Sequence, residues 1–157
     1  VQIQFNDPVL RIYNGKPTKF YKKLDSNIAI LKVFPGMSEA YVKTILGIPG
    51  LRAVVLETFG SGNAPTDDWF IEEISKAIKS GIVVLNVTQC LSGTVMQGKY
   101  KTSTQLGSIG VISGEDITTE AAVTKLMFLL GNYDNADDIG KILIHPLREE
   151  FTLNNWE

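Results

Sequence analysis

Apolar residues along this chain follow two periods in alternation. Four short runs are apolar almost throughout: "NIAILKVF" (27–34), "RAVVLETF" (52–59), "GIVVLNVT" (81–88) and "SIGVIS" (108–113). Runs of this length, rich in Val and Ile, predict strands, the second of a buried type and the third apolar on both faces as in a parallel sheet covered by helices. Between them apolar residues recur every three or four positions, the helical period. "EAYVKTILG" puts Val42, Ile45 and Leu46 on one face, with Ser38 as its cap and Gly47 as its stop. "DDWFIEEISKAIKSG" carries the stripe Phe70, Ile71, Ile74 and Ile78, with Thr66 as cap and Asp67 and Asp68 at the positive end of the helix dipole. "TTEAAVTKLMFLLG" is the strongest helix, with Ala122, Leu126, Leu129 and Leu130 together and Gly131 closing it. A weaker helix is expected over 134–144, ended by His145 and Pro146.

Strands alternating with helices predict an α/β domain. The expected fold is a parallel four-stranded sheet with helices on both faces, Rossmann- or flavodoxin-like. It is preceded over residues 1–26 by an extended linker or a hairpin, since Asn14-Gly15 favours a two-residue turn. Sheets of this kind bind ligands at the carboxyl ends of their strands. Two segments leave strands there: "ETFGSGNAP" after the second, and residues 88–107 after the third. The latter is long and sparsely patterned, as functional or interface-forming loops are.

Composition acts mainly by exclusion. The chain has 157 residues, 44% apolar and 20% charged, with net charge −2. That is one globular domain with a real core. No Lys/Arg stripe favours nucleic acid, and no apolar run approaches the ~18 residues that a membrane helix needs. The single Cys90 fits a reducing compartment, so a cytoplasmic location is expected. The chain begins at Val1 inside extended sequence, which reads as a piece of something longer.

Candidate chemistry is thin. Gly60, Ser61, Gly62 and Asn63 enter a helix, where free N–H groups suit an anion. Position 65 is Pro, however, so no phosphate fingerprint is present. The plainer reading is a tight turn with Asn63 bonded to its own backbone. Cys90 ends a strand and could serve as a nucleophile or a pocket residue; the plainer reading is a small buried hydrophobe. The lone His145 beside a Pro offers it no obvious base. One Cys and one His build no zinc site, and neither metal nor cofactor is expected. The pairs Glu72-Glu73, Asp137-Asp138 and Glu149-Glu150 read as solvated helix faces.

Taken in order, "ETFGSGNAP", "GIVVLNVTQCLSG", "GVISGEDITTEAAVTKLMFLLG" and "LREEFT" resemble the C-terminal domain of a cytoplasmic, type I L-asparaginase over roughly residues 27–152. The resemblance implies a C-terminal α/β domain over 27–157 and the end of an interdomain linker before it. It implies hydrolysis of L-asparagine to L-aspartate and ammonia by a Thr nucleophile on an N-terminal domain absent from this chain. The "TGGTI"-like and Thr-Asp motifs of that domain do not occur here, so no catalytic residue is expected in this chain and the fragment alone should be inactive.

By the same resemblance, Asn63 of the Gly-x-Gly-Asn loop reaches towards a neighbouring subunit's active site, in a homodimer or homotetramer. A second asparagine site between the domains would draw on Glu57, Asn63, Thr88 and Cys90, flanked by Gly62 and Gln89. Regulated relatives carry Arg where Glu57 stands, and a carboxylate cannot replace the guanidinium that pairs with an α-carboxylate. Non-cooperative binding of asparagine is therefore expected. Two other readings stay open: the asparaginase-like subunit of a tRNA-dependent amidotransferase, and a non-enzymatic α/β module that binds an amino acid.

Overall fold

A computed structural model describes residue 15, residues 17–96 and residues 101–152. The elements run β1 (Ile28–Lys32), α1 (Glu39–Leu46), β2 (Ala53–Thr58), α2 (Asp68–Lys79), β3 (Val83–Thr88), α3 (Lys101–Ser108), β4 (Ile112–Ser113), α4 (Thr119–Asn132) and α5 (Ala136–Leu143). The four strands are parallel and lie in the order β1-β2-β3-β4. The α/β architecture expected from the hydrophobic pattern is the one observed.

Strand alternation sorts the side chains into two cores. Leu31, Val54, Leu56 and Val84 pack with Val42 of α1 and Phe70 and Ile74 of α2. Leu106 of α3 joins this face. Ala53, Val55, Val83, Leu85 and Val87 face the other way, against Ala122, Leu126 and Leu129 of α4 and Ile139 and Leu143 of α5. β2 and β3 are buried almost end to end because both their faces are covered.

Several local expectations change. Ser38 caps α1 as expected, accepting from the Tyr41 N–H. Thr66 does not cap α2: the helix starts after Asp67, whose carbonyl receives the Phe70 N–H, and no side chain caps it. Gly131 does not stop α4, which runs through it to Asn132. A methyl on Gly131 would lie 2.6 Å from the Lys23 carbonyl oxygen. This glycine serves close approach of two backbones rather than helix termination. The long segment after β3 contains a helix, α3, that its sparse pattern conceals, and β4 is only two residues long.

The expected Asn14-Gly15 hairpin lies outside the described residues. Residues 17–27 carry no regular element and form a strap across α4. The Asp25 N–H donates to the Met127 carbonyl at 3.0 Å, and Asn132 Nδ2 to the Lys23 carbonyl at 3.1 Å. Tyr21 packs edge-on against Phe128, ring centroids 5.0 Å apart. Arg52 Nη1 donates to Asp25 and to the Leu130 carbonyl, both at 2.8 Å. The Asn27 N–H, and after it the Arg52 guanidinium, hold the Asp25 carboxyl below its ordinary pKa.

Past α5 the chain turns back. Glu149-Glu150 is not a solvated helix face, because α5 ends at Leu143 and the Glu150 side chain points inward. Its carboxylate receives the N–H groups of Leu147 and Arg148 and lies 2.8 Å from Lys125 Nζ. Lys125 is nearly sealed from solvent, also donates to the Leu143 and His145 carbonyls, and lies over the Phe151 ring at 4.5 Å. Asp137 and Asp138 are exposed as expected, whereas Glu73 is mostly covered and paired with Lys76 at 2.6 Å.

Candidate functional site at the carboxyl edge of the sheet

β2 and β3 end in register, Thr58 opposite Thr88, so their following loops emerge side by side. Phe59–Asn63 folds back on itself. The Phe59 N–H donates to the Asn63 carbonyl at 2.9 Å, and the Asn63 N–H returns to the Phe59 carbonyl at 2.8 Å. Closing so small a loop requires left-handed backbone, which Gly60 and Gly62 supply with φ of 51° and 105°. A Cβ on Gly62 would also come within 3.0 Å of Val95 Cγ1. The Met96 N–H fastens the loop from outside through the Ser61 carbonyl at 3.0 Å.

Thr88 ties this loop to β3. Its hydroxyl donates to the Gly60 carbonyl and accepts the Cys90 N–H at 3.0 Å. Gln89 spends its side-chain amide on the strand ends, donating to the Val33 carbonyl at 2.8 Å and the Glu57 carbonyl at 3.0 Å. Beneath the loop, the fully buried Thr58 hydroxyl donates to Asn86 Oδ1 at 2.7 Å. The other end of that amide, Asn86 Nδ2, has no hydrogen-bond partner among the described residues and faces Gly62. An apolar hollow beside the loop is lined by Phe34, Met37, Phe59, Pro65 and Trp69.

Glu57 belongs to the opposite face of the sheet. It alternates with Thr58, so its carboxylate lies on the α4 side, accepting from the Thr119 hydroxyl and 3.5 Å from Lys32 Nζ. Only 12% of the side chain is exposed. Of the six residues singled out from the sequence, Gly62, Asn63, Thr88 and Cys90 surround one loop. Gln89 stitches β1 to β2, and Glu57 stands apart with Thr119 and Lys32. Cys90 is exposed, so it is not the small buried hydrophobe that its strand-end position allowed. The chain has already left the sheet at Thr88, and position 90 sits on the rim.

The pattern of the sequence does not single out Thr58, Asn86 or Thr119. Two of them are polar residues inside apolar runs, "VVLNVT" and "AVVLET", and that interruption is the signal that could have found them. Nothing in the sequence marks Thr119. Among the described residues no cluster of His, Cys, Asp and Glu could hold a metal ion, and no helix is long and apolar enough to cross a membrane.

What this edge can do is limited by its donors and acceptors. It offers an amide, hydroxyls already engaged with backbone, a thiol and, round the corner, a carboxylate. Such a set can bind and orient a small polar ligand; among the described residues it pairs no nucleophile with a base.

Residues 27–143 match the glutaminase/asparaginase C-terminal domain. The chain is 41% identical over 125 residues to L-asparaginase 1 of Escherichia coli K12, covering 80% of this chain and 37% of that protein. It is 38% identical over 122 residues to a glutamyl-tRNA(Gln) amidotransferase subunit of Methanococcus vannielii, covering 78% of this chain and 28% of that protein. Among solved structures, the thermostable L-asparaginase of Thermococcus kodakarensis superposes with a TM-score of 0.82 at 31% identity, over 91% of this chain and 43% of that one. The chain thus spans less than half the length of each of these proteins.

Proposed function

Because this chain belongs to the glutaminase/asparaginase family, as that family's C-terminal domain, we propose that it is the C-terminal half of an L-asparaginase. The full protein hydrolyses L-asparagine to L-aspartate and ammonia. The nucleophilic Thr is contributed by an N-terminal domain outside this sequence. This half supplies the Phe59–Asn63 loop, with Asn63 presented to a neighbouring subunit's substrate, and contacts for a homodimer or homotetramer. Thr88, Cys90 and Gln89 set the shape of that edge, and Glu57 offers a carboxylate to an α-ammonium group. The reading places the protein in the cytoplasm and requires no cofactor, nucleic acid or membrane.

The observation that carries this reading is the closed Phe59–Asn63 turn, held by Thr88 at the ligand edge of a domain that matches the family along its length. A single experiment tests it. L-asparagine is titrated into the purified 157-residue chain by calorimetry, and ammonia is assayed afterwards. No ammonia is expected from this chain, whereas the protein with its N-terminal domain restored releases it. Ammonia from the chain alone would overturn the assignment of roles. The likeness to an amidotransferase subunit supports a second reading, which predicts that ammonia release by the restored protein depends on a partner protein and charged tRNA.

A further inference from the structure

A second hollow is remote from the strand ends. A cavity of about 640 Å³ lies over the outer face of α4, roofed by residues 17–21 of the strap and closed at the far end by the turn 147–150. None of the residues gathered at the carboxyl edge lines it. Its volume falls in the range of pockets that enclose small organic ligands.

Its walls are apolar and its rim is cationic. Tyr21, Phe128, Tyr133, Ile142 and Leu147 supply hydrocarbon surface. Among the described residues the charged lining is three cations, Lys19, Lys125 and Arg148, against one carboxylate, Glu150. Glu150 is taken by Lys125 at 2.8 Å, so among the described lining residues no acid faces Lys19, which lies over the Tyr21 ring at 4.7 Å, or Arg148, which donates to the Leu147 carbonyl at 2.8 Å. A cavity of net charge +2 in a chain of net charge −2 is complementary to an anion. The apolar floor is complementary to hydrocarbon. We infer that this cavity binds an amphipathic monocarboxylate, its hydrocarbon body against Phe128 and Ile142 and its carboxylate at the rim between Lys19 and Arg148.

Two consequences follow from the roof. The strap contributes Lys19 and Tyr21, so an occupant bridges the strap and the body of the domain. Binding therefore lowers the exchange of strap amides with solvent as well as filling the hollow. The carboxylate, rather than the hydrocarbon alone, makes the contact with Lys19, so removing the charge from the ligand removes much of its affinity.

Octanoate is the probe and 1-octanol its uncharged control, both titrated into the 157-residue chain by calorimetry. Saturable binding of one octanoate is expected, with octanol weaker by about tenfold or more. Replacing both rim cations, Lys19→Gln with Arg148→Gln, is expected to weaken octanoate by a similar factor and leave octanol unchanged. Thr124→Trp, which fills the hollow from an exposed position on α4, is expected to abolish binding of both while the circular dichroism spectrum stays native. Absence of saturable octanoate binding in the millimolar range would overturn the proposal. So would equal binding of octanol, or octanoate binding that survives either set of substitutions.

Discussion

Lys125 and Glu150 meet 2.8 Å apart where the turn after α5 packs on α4. The helical period puts Lys125 among Ala122, Leu126 and Leu129, on the face that α4 buries. Burial pushes the ammonium below its ordinary pKa despite the facing carboxylate. Glu150 feels burial in the opposite sense, but the Leu147 N–H, the Lys125 ammonium and the Arg148 N–H outweigh it and bring the carboxyl down to about 2.

Glu150→Gln is therefore expected to cost about 3 kcal/mol, the low end for stranding a buried charge, because two carbonyls still receive the ammonium. The melting temperature should fall by roughly 6–12 °C. The pH dependence has a definite sign. A carboxyl depressed on folding stabilises where it is ionised, so the contribution is complete above the ordinary value of 4.5 and is lost as pH falls towards 2. Urea titrations of both proteins from neutral pH down through that window should show their stabilities converging within it.

Gly131→Ala should loosen the strap rather than the helix. Alanine favours a helix by about 1 kcal/mol over glycine. Here its methyl would press on the Lys23 carbonyl at 2.6 Å, and neither backbone can yield without separating. Overpacking of about 1–3 kcal/mol should win. Hydrogen exchange at the Asp25 amide, protected by the Met127 carbonyl, should quicken while amides inside α4 keep their protection.

Thr58→Val keeps the shape of a buried side chain and removes its hydroxyl. The Asn86 amide would then lose its one hydrogen-bonded end beneath the Gly60–Asn63 loop. A loss of about 2 kcal/mol is expected from chemical denaturation. A cost below about 0.5 kcal/mol would mean that the pair does not hold the loop floor.

For the L-asparaginase proposed above, a hyperbolic dependence of rate on asparagine concentration is expected. Glu57 already accepts from Thr119 and pairs with Lys32, and a carboxylate there repels an incoming α-carboxylate. A sigmoidal curve that turns hyperbolic on Thr88→Val would refute this.

Strands are the most legible part of the fold, because β2 and β3 are buried on both faces and show it as runs that are mostly apolar. α2 and α4 are legible for the complementary reason: each buries one stripe of a strict helical period. α3 is not, since among the described side chains of "KTSTQLGS" only Leu106 is committed to the core. Gly131 misleads because glycine ends helices more often than it admits a crossing backbone. At the site, the loop that carries Asn63 is marked by its glycines. The partition of Glu57 from Thr88 is not marked: it follows from alternation in strands whose apolar residues face both ways.

The strand order has a consequence for how the chain assembles. Each strand pairs with its immediate predecessor, so β1, β2 and β3 can zip together with α1 and α2 already on one side. Val55, Leu85 and Val87 then form a bare apolar wall until α4 arrives. A polypeptide interrupted before Thr119 would carry that wall into solution uncovered, ready to adhere to its like. On the ribosome, the interval between the synthesis of β3 and that of α4 is the domain's vulnerable period.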